Sequence, residues 1–519
     1  MCKKKVNTFV LVGILIGSGV GILFPLLASN TIVEKEIKKK MVISPSSQIY
    51  DIWQDSPVPV YMQFFMFNVE NPDEVRKGEK PFLKQMGPYT YKIRKTKFGI
   101  IWNDNGTVSY RQRRTFTYIP HMSSGNEMDN VTTINPFVAT IAHSIQWLPY
   151  LLPVLTYIMN TANVELFIVR PVHEVLWGYQ DPTLSILKPL MPNRIPTTSI
   201  GYFIQKNTTD DGLYTVYTGA DNIEQMGTIS RYNGDRYVKS WSTSWANMVN
   251  GSDGTLCSPL KLNRESLYVF ASDICRSLKI DFKKEEPLLR GMKVRRFEVE
   301  KNAFINASAN KDNIGFCIPQ SQCLPSGLLN LTTCQKPVNG FTIPIIMSLP
   351  HFLSADPEVS SSVLGLQPSE QEHSIYMDIE PWTGLVLQGE KKIQINIFIQ
   401  QNPVLQQTAG IRTLYFPIFW INESSVIDDE HAKILVSQLF TPMKIVNIVK
   451  YVILAISLTS FATSAAVWLI GTFIIQHKKK AIVKEDDPSE PCLKTSNSRY
   501  SDFRSEMEKL GFGYERLNT

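Results

Sequence analysis

The chain has 519 residues, 43% of them hydrophobic and 19% charged, which suits a globular protein with a large core and excludes a wholly disordered chain. A formal charge of +6 is spread thinly and leaves no nucleic-acid footprint. No HExxH, Walker loop or Gly-x-Ser-x-Gly is present, so the reading is of a non-enzyme with no metal and no cofactor.

Residues 1–5 form a cytosolic N-tail in which Cys2 precedes Lys3, Lys4 and Lys5, a setting suited to S-acylation at a membrane face. Residues 6–28 carry no charge and exceed the ~20 residues that cross a hydrocarbon core, so 6–29 is predicted as a first transmembrane helix. A cleaved signal peptide fits less well, because the apolar run is too long and no clean Ala-x-Ala site follows. Gly13, Gly17 and Gly21 share one face of this helix. That face is either a packing surface or the ordinary glycine usage of membrane helices.

Residues 30–449 form the lumenal or extracellular domain. Strands are predicted at 60–67, 89–93, 213–218, 296–299, 391–400 and 414–421 from their aromatic and β-branched content. In 391–400, Ile393, Ile395, Ile397 and Ile399 alternate with Gln394, Asn396, Phe398 and Gln400, which predicts one apolar and one mostly polar face. Asn105-Gly106 and Asn233-Gly234 are turn signals. Residues 137–160 are uncharged and rich in Leu, Tyr and Ile, but Pro149 and Pro153 interrupt them. Two or three short helices are expected there, their apolar surface either packed on the core or exposed to lipid or protein. A further helix is expected at 429–440, whose start is acidic. The class is α+β, dominated by an antiparallel sheet or barrel.

Lysines flank both spans on both sides, so charge does not orient the chain. All seven Asn-x-Ser/Thr sequons, at Asn105, Asn130, Asn207, Asn250, Asn306, Asn330 and Asn422, lie between the spans, as glycosylation requires of a lumenal segment. Cys257, Cys275, Cys317, Cys323 and Cys334 lie there too, without a CxxC pair, which suits disulfides better than zinc. A second uncharged run gives the transmembrane helix 450–475. The polar C-tail, 476–519, holds Tyr500-Ser501-Asp502-Phe503 and Tyr514-Glu515-Arg516-Leu517. Both have the Tyr-x-x-apolar form that clathrin-adaptor type sorting proteins take as extended peptides.

Five motifs carry a resemblance: Gly87-Pro88-Tyr89-Thr90-Tyr91, Leu176-Trp177-Gly178-Tyr179-Gln180-Asp181-Pro182, Ser272-Asp273-Ile274-Cys275-Arg276-Ser277, Leu349-Pro350-His351-Phe352 and Asp378-Ile379-Glu380-Pro381-x-Thr383-Gly384. In this order they resemble the class B scavenger receptor family, from the first span through the second. The resemblance implies two transmembrane helices flanking a large antiparallel β-barrel-like ectodomain, a helical apex at about 137–165 and a hydrophobic tunnel for lipid. It implies ligand contact at the apex by Trp147, Tyr150, Leu151, Leu152, Leu155 and Ile158. Thr161 and Asn163 stand where some members carry a lysine pair, so anion capture there is not expected. Gly315-Phe316-Cys317-Ile318-Pro319-x-x-x-Cys323 is most similar to the family's lysosomal member and implies bridges Cys275–Cys334 and Cys317–Cys323, with Cys257 free. Ala246 and Gly315 stand where other members carry a third bridge.

The function implied is a membrane receptor that binds lipids or lipoproteins and moves lipid toward the bilayer. The alternative is a sorting receptor that carries a soluble lysosomal enzyme at the apex. The implied location is the plasma membrane, the endosome–lysosome membrane or both, with self-association left open.

Overall fold

The computed structural model describes residues 13–14, 16–17, 19–22, 31, 35, 39–47, 49–56, 58–144, 150, 152–190, 192, 195, 197–259, 264–334 and 343–485. The chain divides into two compact units, Met1–Thr31 with Lys444–Thr519, and Ile32–Met443.

In the first unit, helix Thr441–Glu485 contains the one stretch among the described residues that is long and apolar enough to cross a membrane, Lys444–Lys478. Ile456, Leu458, Trp468 and Phe473 lie exposed along it, as lipid-facing side chains must. The hydroxyls of Thr459 and Thr463 donate back to the Ala455 and Thr459 carbonyls at 3.0 Å, so neither needs water. The described part of the expected first span is helical, and Gly21 lies so close to Ser457 that a Cβ would meet its hydroxyl.

The second unit is built on a 13-stranded antiparallel sheet. Strand Val60–Val69 sits between Leu83–Asn103 and Leu414–Val426, and its Met62, Phe64 and Met66 are buried in a period of two. One wing continues through Thr107–Tyr118 and Asp210–Tyr217 to Ile229–Tyr232. The other runs through Val386–Ile399, Tyr376–Ile379, Lys293–Val299 and Arg276–Pro287 to Ser266–Ala271. The glycine turns fall where expected: Gly106 (φ +69°) closes the hairpin from Asn103 to Thr107, and Asn233 and Gly234 adopt φ of 52° and 82°.

The two wing ends are stitched together by residues 251–252. Ile229 N–H donates to the Gly251 carbonyl at 2.8 Å, and Phe270 N–H donates to the Ser252 carbonyl at 2.9 Å. Ser252 also forms a parallel bridge with Val269. The sheet is thereby curled into a barrel-like wall without a free edge at this seam. Gly251 has φ +81°, and a Cβ on it would run into the Tyr268 carbonyl, so the seam requires glycine.

The polar face expected of 391–400 proves to be buried, and one expectation about residues 137–160 is corrected. Both faces of strand Val386–Ile399 are covered: Gln394 and Asn396 are as fully buried as Ile397 and Ile399. They are satisfied inside the protein, Gln394 donating to Asn396, Asn396 donating to Ser348 Oγ, and Gln394 accepting from His351 N–H. The apolar 137–160 segment yields helices Pro136–Ser144 and Leu152–Thr161, the first almost wholly buried. Leu155 is 2% exposed and Ile158 9%, so these two expected ligand contacts are core side chains. Exposure in this segment belongs to Tyr150, Val154 and Tyr157.

The family-like motifs act as joints. Tyr89 and Tyr91 donate to Asp129 and Glu127, Trp177 donates to Tyr91, and Asp181 caps helix Pro182–Leu190 through Thr183 N–H. Arg296 clamps Asp378 with two bonds of 2.8 and 2.7 Å. His173 lies 3.4 Å from Glu127 rather than pairing with its neighbour Glu174, which meets Arg170.

Candidate functional site: an amphipathic cavity inside the sheet

The curled sheet lines a partly open cavity of about 630 Å³, within the range of small-molecule sites. Much of its wall is apolar, including Ile93, Leu278, Ile280, Val299, Met377 and Leu387. These alternate positions point inward for the reason that a strand alternates its faces. The same parity that carries Ile393 to Ile399 into the core brings Leu387, Gly389 and Lys391 to the cavity.

One part of the wall is ionic. Lys391 Nζ lies 2.7 Å from both Asp273 Oδ2 and Glu423 Oε2, and Lys95 Nζ lies 2.5 Å from Glu423 Oε1. Arg114 Nη2 is 2.6 Å from Asp211. Three cations thus face three carboxylates, and the cluster is electrically balanced. Burial opposes ionisation of Glu423, yet Lys391, Lys95 and Arg114 hold its carboxyl well below the usual range. Burial is likewise outweighed at Asp273 by Lys391 and Arg114. Nearby, Lys97 is 4% exposed and its ammonium is pulled down by burial, against the attraction of Asp253 at 4.0 Å. Lys97 Nζ donates to the Trp53 carbonyl at 2.8 Å and lies over the Trp53 and Tyr110 rings. Gln112 Oε1 and Arg114 Nε, both on lining residues, are buried without a hydrogen-bond partner among the described residues. The cavity can therefore receive a molecule that is mostly apolar and carries one polar end.

Cys257 is buried, and burial pushes its thiol up to about 11, which leaves it protonated and inert. Among the described residues no group of three or more His, Cys, Asp or Glu is placed to hold a metal.

The residues singled out from the sequence fall elsewhere. Tyr150 is exposed and Leu152 half-buried; Trp147 and Leu151 lie outside the described residues, as do Cys2, Tyr500, Phe503, Tyr514 and Leu517. Bridges join Cys275 to Cys334 and Cys317 to Cys323, and Cys257 is free. Gly315 lies against Ala246 with no room for a Cβ between them. Among the sequons, Asn105, Asn130 and Asn207 are exposed, whereas Asn250, Asn306, Asn330 and Asn422 are half-buried. The Asn306 amide donates to the Leu324 carbonyl at 2.7 Å and the Asn422 amide to Gln63 at 3.3 Å.

Sequence reasoning missed the ionic cluster. Two signals were present: Asp273 inside one of the five motifs, and Lys391 and Glu423 beside strongly apolar strand positions. Neither indicates a partner, because the ion pairs join residues up to 328 positions apart.

Comparison with known proteins agrees with the motif order. The chain is 38% identical over 428 residues to lysosome membrane protein 2 of Homo sapiens, covering 82% of this chain and 86% of that protein. The Rattus norvegicus protein of that name is 37% identical over 426 residues, with the same coverage. Scavenger receptor class B member 1 of Sus scrofa is 32% identical over 428 residues, 82% of each chain. The match to the CD36 family runs over residues 11–468, from the apolar N-terminal segment to the C-terminal membrane helix, and with this extent the chain belongs to the CD36 family.

Proposed function

We propose that this protein is a membrane receptor that takes lipid, free or from lipoprotein particles, and passes it toward the bilayer through the interior of its sheet. The observation that carries the reading is the amphipathic cavity of about 630 Å³, apolar on most walls and balanced in charge on one. Apolar burial at ~25 cal/mol per Å² would supply the driving force for an acyl or sterol body. The ionic cluster would hold the polar end, since its own charges are neutralised and it imposes no net sign. In this reading the cavity opens into a tunnel, and the chain is a hairpin of two membrane helices, 6–29 and 450–475, with both tails cytosolic. Lipoprotein contact falls to the exposed apolar apex around Tyr150 and Leu152, together with Trp147 and Leu151. Glycans sit on the sequons, Cys2 is acylated, and Tyr500-Phe503 and Tyr514-Leu517 engage sorting adaptors. Residence in the endosome–lysosome membrane is supported by a relative named for the lysosome membrane, and residence in the plasma membrane belongs to the same reading.

Gly389 offers a direct test. It lines the cavity, and a Cβ there meets its nearest atoms at 3.4–3.7 Å, ordinary contact. Gly389→Leu should therefore fold and obstruct the space. Cells expressing it at normal surface level should take up fluorescent cholesteryl ester from reconstituted lipoprotein particles at or near background. Uptake equal to wild type by a correctly glycosylated variant would show that lipid does not pass this way.

A further inference from the structure

Away from the cavity, two buried histidines meet. His351 lies in the turn Pro350–Phe352 and His373 ends the short helix Glu370–His373. Their rings stack at 4.6 Å, and both lie against the Trp420 ring. Hydrogen bonds fix where their protons sit. His351 Nδ1 accepts the Gln367 N–H at 3.1 Å, so its proton is on Nε2, which donates to Gln85 Oε1 at 2.9 Å. His373 Nδ1 accepts the Ser369 N–H at 3.0 Å. Each imidazole is thus an acceptor at Nδ1, and a proton there would set two donors against each other. Two stacked imidazolium rings would also repel.

Both rings hold the same stretch of chain. Residues 365–374 cross the surface between Leu364, whose backbone bonds to Pro81 and Leu83, and strand Tyr376–Ile379. Gln367, Pro368, Glu370, Gln371 and Glu372 are exposed. Among the described residues, the Gln367 amide makes the one backbone hydrogen bond that ties 365–372 to another segment. Leu366 adds apolar packing, and Glu370 forms an exposed ion pair with Lys301 at 3.3 Å, which contributes little. Few charges act on the pair. Glu372 favours a proton on His373, whereas Lys392, itself paired with Glu390, opposes it. Phe67, Gln85, Gln394 and Trp420, which face the pair from the other strands, are uncharged.

We propose that His351 and His373 form an acid-labile clasp, which holds residues 365–374 on the sheet at neutral pH and releases them in an acidic compartment. Release uncovers Trp420 and Gln85, so the surface presented in acid differs from that at neutral pH. The clasp lies outside the lipid cavity and does not depend on the lipid reading. Its sign follows from the closed geometry. Burial and the neighbouring His373 push His351 down to about 4, against about 6.5 for a released ring. The released form therefore gains protons first as pH falls, and its population should rise about 30-fold between pH 7.5 and 5 from His351 alone.

The test is hydrogen–deuterium exchange on the full-length protein in detergent, expressed as protection factors so that the intrinsic pH dependence of exchange cancels. Peptides covering 365–374 should lose about tenfold or more of their protection between pH 7.5 and 5, while strand Val386–Ile399 keeps its own. Combining His351→Asn with His373→Asn leaves an uncharged acceptor near each Nδ1 position and should cut the loss to about twofold or less. Unchanged protection of 365–374 in wild type at pH 5 would overturn the clasp, whether or not the variant folds. So would a loss shared equally by Val386–Ile399, which is global unfolding, or a loss that persists in the double variant.

Discussion

At the residue scale the buried ionisable groups set how the ectodomain responds to acid. Glu423 and Asp273 are carboxylates held below their ordinary range by lysine and arginine partners. Their contribution to stability is present above about pH 4 and is lost only as pH falls through their depressed values. His351 works in a different window. It is 6% exposed, stacked on His373 at 4.6 Å, and accepts the Gln367 N–H at Nδ1 while Nε2 faces Gln85 Oε1. A second proton would break the Nδ1 bond, and burial together with His373 pushes the ring down to about 4. Unfolded, the same ring takes a proton near pH 6.5. Stability from this neutral pair is therefore complete above about pH 6.5 and declines as pH drops toward 4. Melting curves from pH 7.5 to 4.5 should show a falling transition temperature, with a shallower slope in His351→Gln. A flat wild-type profile would mean that the histidines do not titrate differently in the two states.

At the element scale the decisive feature is the seam at Gly251 and Ser252. The end strands Ile229–Tyr232 and Ser266–Ala271 are not paired with each other along the path of the sheet; they are hydrogen-bonded through these two residues and touch through the Tyr232 and Phe270 rings. Gly251→Ala keeps the Asn250 sequon, yet places a Cβ against the Tyr268 carbonyl at φ +81°. Strained backbone of this kind costs about 1–3 kcal/mol before the clash is counted. The variant should melt several degrees lower and leave the endoplasmic reticulum poorly, with unchanged glycan number. Gly234→Ala is the control: its φ is +82°, but nothing stands within 4 Å of a Cβ, so its cost should stay near ~1 kcal/mol. Equal behaviour of the two variants in pulse–chase export and thermal melting would show that the seam is not a structural joint.

At the scale of the whole molecule, the proposed hairpin fixes which segments meet the glycosylation machinery. Asn105, Asn130 and Asn207 are exposed, whereas the other four sequon asparagines are half-buried. Glycosidase treatment of the intact chain should give a mobility shift of at least three glycans, and Asn→Gln substitution at 105, 130 and 207 should each remove one step. A band unmoved by glycosidase in a eukaryotic membrane fraction would reverse the proposed orientation. The result bears on the lipid reading as well, because a cytosolic ectodomain could not meet lipoprotein particles.

The C-terminal membrane helix was legible in the sequence because a bilayer selects on uninterrupted apolar length, a property of adjacent residues. Strands such as 60–67 and 414–421 were legible for a similar reason, since aromatic and β-branched content is a local property. The bridges Cys275–Cys334 and Cys317–Cys323 were implied only by resemblance, as spacing alone does not choose partners. Tertiary structure decided the rest. Leu155 and Ile158 share their composition with exposed Val154 and Tyr157, and only the surface that a helix packs against separates core from apex. Gln394 and Asn396 look solvent-facing in the chain and are buried because Ser348 and His351 come from other segments to satisfy them. A tunnel was implied by resemblance alone, and the ionic wall of the cavity lay beyond the sequence. Lys391 faces Glu423 and Lys95 faces Arg114 on neighbouring strands, Asp273 and Asp211 reach Lys391 and Arg114 from other segments, and only the pairing of distant stretches in the folded sheet sets these positions side by side.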